Sequence, residues 1–429
     1  MKKLIHIFPV LFIILIYLIL GYIFFHFIYS YSIRIPYADE WGVADVALDK
    51  IRLQYFFWQN NEHRAGTVFL YLQFLSHLTH WNMMYETMSI GILIFIASYF
   101  ALRIKQYYLK SIDYWDAIIP FIFLNIIQYE NLLWGINICH IFPTFFLLWA
   151  AYLFTKPDSP WKNHLLMLIA LFSAYSSFQG LIVGVTILGY FIIRLFHKRA
   201  VKQSWKPFLA YPVGILCIIW SYFIGFDPPP YLGPTEISPS FIVQFIFREI
   251  TAAVGYYQTT WMMWILPIGV LMHICVGSWQ WIKQRFNGRY YIVFSLCMYS
   301  LLFMVFIVFG RGGFGLDFSG TSRYVTYLSP LFFGCYLVGR LCMKGKAKWV
   351  SILFLVWFVS VSILYRHISV ASANLWHTNV ELWRACYLRN ENIQQCDEQT
   401  GFAIYNKDIS EIQDRMNGLK QQKLNLFYR

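Results

Sequence analysis

Long apolar runs, most of about 17 to 25 residues, recur along this chain, and a run of that length crosses about 30 Å of hydrocarbon as a helix. They fall near 4–30, 83–102, 114–128, 138–155, 162–176, 180–196, 208–226, 259–281, 290–309, 323–342 and 349–365, which predicts about eleven transmembrane helices. Only 13% of the 429 residues are charged, against about a quarter in a soluble domain, and most runs lack the polar face that a water-exposed helix needs. The first run, Leu4 to Tyr29, is too long for a signal-peptide core and has no small-x-small cleavage site, so it reads as an uncleaved anchor. The expected fold class is an all-α integral membrane protein.

A formal charge of +13 would fit a nucleic-acid partner if the basic residues formed one patch, but they are divided between the helices. Counting from an inside N-terminus, every even-numbered gap holds a basic cluster: Arg103/Lys105/Lys110, Lys156/Lys162, Arg194 to Lys206, Lys283/Arg285/Arg289 and Arg340 to Lys348. With Lys2 and Lys3 these segments carry 19 of the 34 basic residues, and the positive-inside rule makes that face cytoplasmic. Of the 21 carboxylates only Asp113, Asp116 and Asp158 lie there; the rest are expected on the outer side. The positive charge is topogenic, and no nucleic-acid partner is expected.

Two units follow: a transmembrane domain, 1–366, with its first outer loop at 30–82, and an outer C-terminal tail, 367–429. In the first loop Val43, Val46, Ala47 and Ile51 form an apolar stripe opposite Asp45, Asp49 and Arg52, which predicts an amphipathic juxtamembrane helix, and a second helix is predicted from Asn61 to about His80. The segment opening Asp227-Pro-Pro-Pro-Tyr-Leu-Gly-Pro reads as an extended flap. In the tail, Cys386 and Cys396 are a candidate disulfide, with two free thiols as the alternative. His77 and His80 have a three-residue spacing but no evident third metal ligand.

The candidate chemistry gathers on the outer side. Asp39 and Glu40 are adjacent carboxylates flanked by Tyr37 and Trp41, and a carboxylate shielded by those rings has its pKa raised towards that of a useful general base. The alternative is that Asp39 caps the surface helix and Glu40 sits in its first turn. Glu62, His63 and Arg64 follow in one run, with a Glu62–Arg64 ion pair as the structural alternative to substrate contact. Two short outer turns carry Glu130, Asn131, Trp134 and Asn137, and Gln179; aromatic belts account for the tryptophan, whereas the polar groups suit sugar hydroxyls. A glycine-rich turn, Gly310 to Gly315, contains Arg311 and is followed by Arg323 and Tyr324, the residue types that clamp a phosphate.

Asp39-Glu40-Trp41, Asn61-Glu62-His63-Arg64, Glu130-Asn131 with Trp134-Gly135, and Ser322-Arg323-Tyr324 resemble the GT-C class of polytopic membrane glycosyltransferases, which use polyprenyl-phosphate sugars. Within that class the likeness is to bacterial O-antigen-modifying, serotype-converting glucosyltransferases, over residues 1 to 345. The resemblance implies an inverting transfer in a bacterial inner membrane, with the periplasm on the outer side. Asp39 would deprotonate the acceptor, Glu40 or Glu62 would position a substrate, and Arg311 and Arg323 would stabilise the departing phosphate. The implied partners are a polyprenyl-phosphate-linked sugar donor, a glycan or lipopolysaccharide acceptor and membrane lipids. Some class members use a divalent metal and others none, and both possibilities stand. The competing classes are an O-antigen polymerase, whose large outer loop comes late in the chain, and a flippase or transporter of lipid-linked sugar, which needs a polar path through the bilayer.

Overall fold

The computed structural model describes residues 7–48, 52–200, 207–228, 238–255, 262–284, 288–405 and 409–428. In chain order its first helices are α1 (Ile7–Tyr31), α2 (Trp41–Leu48), α3 (Gly66–Thr79), α4 (Met83–Leu109), α5 (Ile118–Phe123), α6 (Tyr129–Leu133), α7 (Ile138–Phe154) and α8 (Pro160–Ala174). There follow α9 (Gly180–Ala200), α10 (Ala210–Phe223), α11 (Pro239–Ala252), α12 (Met262–Lys283), α13 (Gly288–Arg311), α14 (Val325–Leu341), α15 (Gly345–Asn390), α16 (Ile393–Thr400) and α17 (Ile409–Gln422). Among the described residues the only strands are β1 (Gln59–Asn60) and β2 (His63–Arg64), an antiparallel pair.

Among the described residues six apolar stretches are long enough to cross a membrane: Ile7–Tyr31, Met83–Leu109, Gly135–Phe154, Met263–Lys283, Tyr290–Phe314 and Gly345–Asn390. The chain is an all-α, multi-pass membrane protein. α1 shows how such a helix divides its surface: Ile13, Phe24, Phe27 and Ile28 are buried, while Phe8, Leu11, Leu18 and Tyr22 project outward from the protein. An exposed stripe of that size belongs in hydrocarbon.

Several expectations are corrected. The run at 114–128 is not one spanning helix but a 3-10 turn, the six residues of α5 and a second 3-10 turn. Leu124 leaves helical geometry, and the Asn125 side chain caps a new turn by accepting from the Ile127 N–H at 3.1 Å. Ile118, Ile119, Ile122 and Phe123 are apolar because other helices enclose them, the setting in which irregular backbone survives at membrane depth. In the first loop the second helix starts at Gly66 rather than Asn61, because 59–64 form the β1–β2 hairpin, turned at Asn61 in the left-handed region (φ 53°) that asparagine tolerates. α2 covers the first part of the predicted amphipathic stretch, while Asp49 and Ile51 lie outside the described residues. The expected flap at 229–237 also lies outside them, and the segment beyond it is helix α11, started by the Ser238 side chain accepting from Phe241 N–H.

The tail does not begin at a joint. α15 is one helix of 46 residues that runs through 366 and 367 without a break. Its far end, with α16 and α17, forms a small core around Trp383, Ile393, Ile404, Ile412 and Met416, and this core includes Ile33, Ile35, Trp41 and Trp81 of the first loop region. Cys386 and Cys396 are joined in a disulfide within it. Tail and first loop therefore make a single cap over one end of the helices.

Candidate functional site

Under that cap lies a cavity of about 210 Å³. The first loop contributes Asp39, Asn61, Glu62 and His63, the start of α7 contributes Asn137, Cys139 and His140, and Gln179, Arg311, Arg323 and Tyr324 close the far side. Thus eight of the residues singled out in the sequence, from five separate segments, meet around one space: Asp39, Glu62, His63, Asn137, Gln179, Arg311, Arg323 and Tyr324.

Asp39 is held by its backbone. Ala38 adopts φ 46°, a left-handed conformation that costs an alanine about 1 kcal/mol, and its N–H donates to the Ile404 carbonyl of the tail at 2.8 Å. Next to it, Glu40 turns the opposite way and is buried, with one carboxyl oxygen accepting from Tyr37 N–H (3.0 Å) and the other from Ile136 N–H (3.2 Å). Burial pushes the Glu40 carboxyl well above the usual carboxylate range, and the neighbouring Glu86 pushes it the same way, against the pull of these N–H donors. The two acids close on Gly135: a Cβ there would lie 2.1 Å from Glu86 Oε2 and 3.2 Å from Glu40 Oε1. Glu40 therefore fixes the turn and does not line the cavity. The Asp39 side chain is exposed to the cavity, and among the described residues its carboxylate makes no hydrogen bond and no ion pair.

The other charged groups are committed to one another. Glu62 pairs with Arg311 and lies 3.5 Å from His63 Nε2, so the expected Glu62–Arg64 pair is not formed. Arg64 instead points away from the cavity and donates to the carbonyls of Phe57 (2.6 Å), Ile224 (2.7 Å) and Tyr222 (3.3 Å), tying the hairpin to the end of α10. His63 Nδ1 accepts from Phe178 N–H at 3.3 Å, which puts the ring proton on Nε2, facing Glu62. Burial holds the His63 pKa down; Glu62 opposes this and Arg311 adds to it. Arg323 Nε stands 3.3 Å from Glu130 Oε2, an ion pair off the hydrogen-bonding angle. Glu130 lies behind Arg323 rather than on the cavity wall, and Asn131 is buried, donating to Arg323 O and Thr326 Oγ1, both at 2.7 Å. Trp134 packs between Tyr37 and Trp376. Glu130, Asn131 and Trp134 thus support the site and do not line it.

Gln179 is different. Its side chain is buried against the cavity and its Oε1 has no hydrogen-bond partner. An orphaned buried acceptor costs about 1–3 kcal/mol unless something donates to it, and a hydroxyl-bearing ligand in the cavity would do so. Two groups near the site escaped the sequence reading, Glu86 and His140, the latter hydrogen-bonded to Tyr327 at 2.9 Å. Each is a polar residue inside an apolar run, the signal that would have found it.

Among the described residues no three His, Cys, Asp or Glu side chains gather as a metal site. His80 stacks on Tyr428. With Glu62 taken by Arg311, Asp39 is the one carboxylate among the described residues of the wall left for a divalent ion, a poor donor set. The chain matches no known protein family, no curated protein and no solved structure.

Proposed function

We propose that this chain is a membrane glycosyltransferase of the GT-C kind. In this reading all eleven apolar segments belong to the membrane domain and the cap faces the periplasm of a bacterial inner membrane. A sugar, glucose by the resemblance, passes from polyprenyl phosphate to a lipid-linked glycan or O-antigen acceptor.

The observation that carries the reading is the uncommitted Asp39 carboxylate, facing Arg311 and Arg323 across a cavity whose other carboxylate, Glu62, is ion-paired. A general base needs a free lone pair in reach of the hydroxyl it deprotonates, and a leaving phosphate needs fixed positive charge. The acceptor oxygen attacks the anomeric carbon as the bond from that carbon to the phosphate oxygen breaks, inverting the centre. The acceptor proton goes to Asp39, and the bonding electrons leave with polyprenyl phosphate, towards Arg323 and Arg311. Gln179 Oε1 accepts from a sugar hydroxyl. The position suits a donor whose lipid tail stays in the bilayer while its head enters beneath the cap.

The test uses the full chain in liposomes with polyprenyl-phosphate glucose and an O-antigen acceptor. Wild-type protein yields glucosylated acceptor, and Asp39→Asn lowers the rate by about 10²–10⁴-fold with unchanged melting. Failure of folded wild-type protein to transfer from any polyprenyl-phosphate sugar would sink the proposal.

A further inference from the structure

A second and larger cavity, of about 340 Å³, lies against the first. The wall between them is the segment 321–324 with Glu130: Thr321, Ser322 and Glu130 face the second cavity, while Arg323 and Tyr324 face the first. Ser322 Oγ and the Glu130 carboxylate fasten this wall, accepting from Glu130 N–H and Arg323 N–H, both at 3.3 Å.

The two spaces differ in charge. In the second, Arg248 pairs with Asp317 at 3.0 Å and Glu130 is paired through the wall with Arg323, so the charged side chains on its lining are matched. What remains is the unpartnered Nε donor of Arg248 and a set of hydroxyls with complementary roles. Ser319 and Thr321 donate their own protons to the carbonyls of Leu316 (2.6 Å) and Phe318 (2.7 Å), which leaves oxygen lone pairs free to accept. Ser322 Oγ already accepts, which leaves its proton free to donate. Ser372 of α15 and the half-buried Tyr129 ring stand on the same lining. Acceptors and donors interleaved beside an aromatic ring match a sugar, whose hydroxyls do both and whose C–H face packs on a ring. A free anion would find here one cation, Arg248, whose charge Asp317 already matches, and an acyl chain would face hydroxyls.

We infer that this cavity is a second carbohydrate subsite, which takes neutral sugar rings of the acceptor glycan next to the ring that reacts at Asp39. The role as acceptor subsite rests on the transferase reading above, whereas the capacity to hold a neutral oligosaccharide does not.

The experiment has a binding arm and a kinetic arm, both on the full chain in nanodiscs. In the first, saturation-transfer NMR with maltotriose compares wild type with Ser372→Trp, which fills the cavity, and with Thr321→Val, which removes one hydroxyl at equal volume. Saturation falls at least about 5-fold in Ser372→Trp and about 2-fold in Thr321→Val. No saturation in wild type, an equal signal in both variants, or a signal lost only in Gln179→Ala, which would put the sugar in the first cavity, each overturns the inference. In the second arm Ser372→Trp raises the acceptor KM about 10-fold or more and leaves the donor KM unchanged; a rise in donor KM alone would overturn the acceptor assignment. A chain that binds maltotriose through Ser372 yet transfers nothing keeps the subsite and loses the transferase reading. Asp39-dependent transfer indifferent to Ser372→Trp does the reverse.

Discussion

The two ends of the helix bundle treat charge in opposite ways. At the end that carries the basic clusters, Lys105 is fully buried and bonded to Asp116 (2.5 Å), Asp113 (3.1 Å) and the Ser111 carbonyl, while Arg340 grips Asp113 at 2.7 Å and Tyr336 donates to Asp116. Every charge in that knot has a partner. At the capped end Asp39 and Gln179 Oε1 have none, and Glu249 on α11 is buried with both carboxyl oxygens unpartnered. The contrast separates charges that hold the protein together from polar groups left without a partner.

Variants at the two ends put this division at risk. Lys105→Met should have the largest effect on stability, about 3–5 kcal/mol, because it takes the cation from the buried Asp116 carboxylate and leaves Asp113 to Arg340 alone, and the specific activity of the protein that still folds should not move. Thermal melting with assay of the folded fraction checks it, and a selective loss of activity would blur the contrast. Asp39→Asn should do the opposite: the loss of transfer given above, with melting within about 0.5 kcal/mol of wild type. Removing both Cys386 and Cys396 as serines should destabilise the cap by about 2–3 kcal/mol and slow the proposed transfer, since Ile404, which holds Ala38 beside Asp39, belongs to the same core. Melting and initial rates with and without reductant read this directly.

The smallest effect is one of pH. Burial holds the Glu249 carboxyl well above its ordinary value of 4.5, so the folded protein keeps a proton that the unfolded chain releases. Stability is therefore lost as pH rises from about 4.5 until the folded carboxyl also ionises. Glu249→Gln cannot ionise, and its advantage in melting temperature over wild type should be greater at pH 8 than at pH 5. An equal advantage at both would mean that Glu249 has a partner.

The sequence made the membrane-spanning character legible because that signal is carried by run length alone. It failed at 114–128, where Asn125 starts a new turn inside an apolar run, and composition does not distinguish burial in protein from burial in lipid. Which side chains would surround the cavity was largely legible, because polar residues in short turns between apolar runs converge at the same end of the bundle. Their roles were not. Asp39 and Glu40 are neighbours of one kind, and only the left-handed Ala38 decides which of them faces the cavity. Arg64 and Arg311 are equally plausible partners for Glu62 until the hairpin is folded, because a partner 249 positions away leaves no mark in the local pattern.

The long helix α15 has a mechanical corollary. At 1.5 Å per residue its 46 residues make a rod of about 69 Å, more than twice the thickness of the hydrocarbon layer. A mast without a joint sets the height of the tail above the bilayer and gives it nowhere to swing. The residues of the first loop region that pack into that core, Ile33, Ile35, Trp41 and Trp81, are moored to the same stationary post.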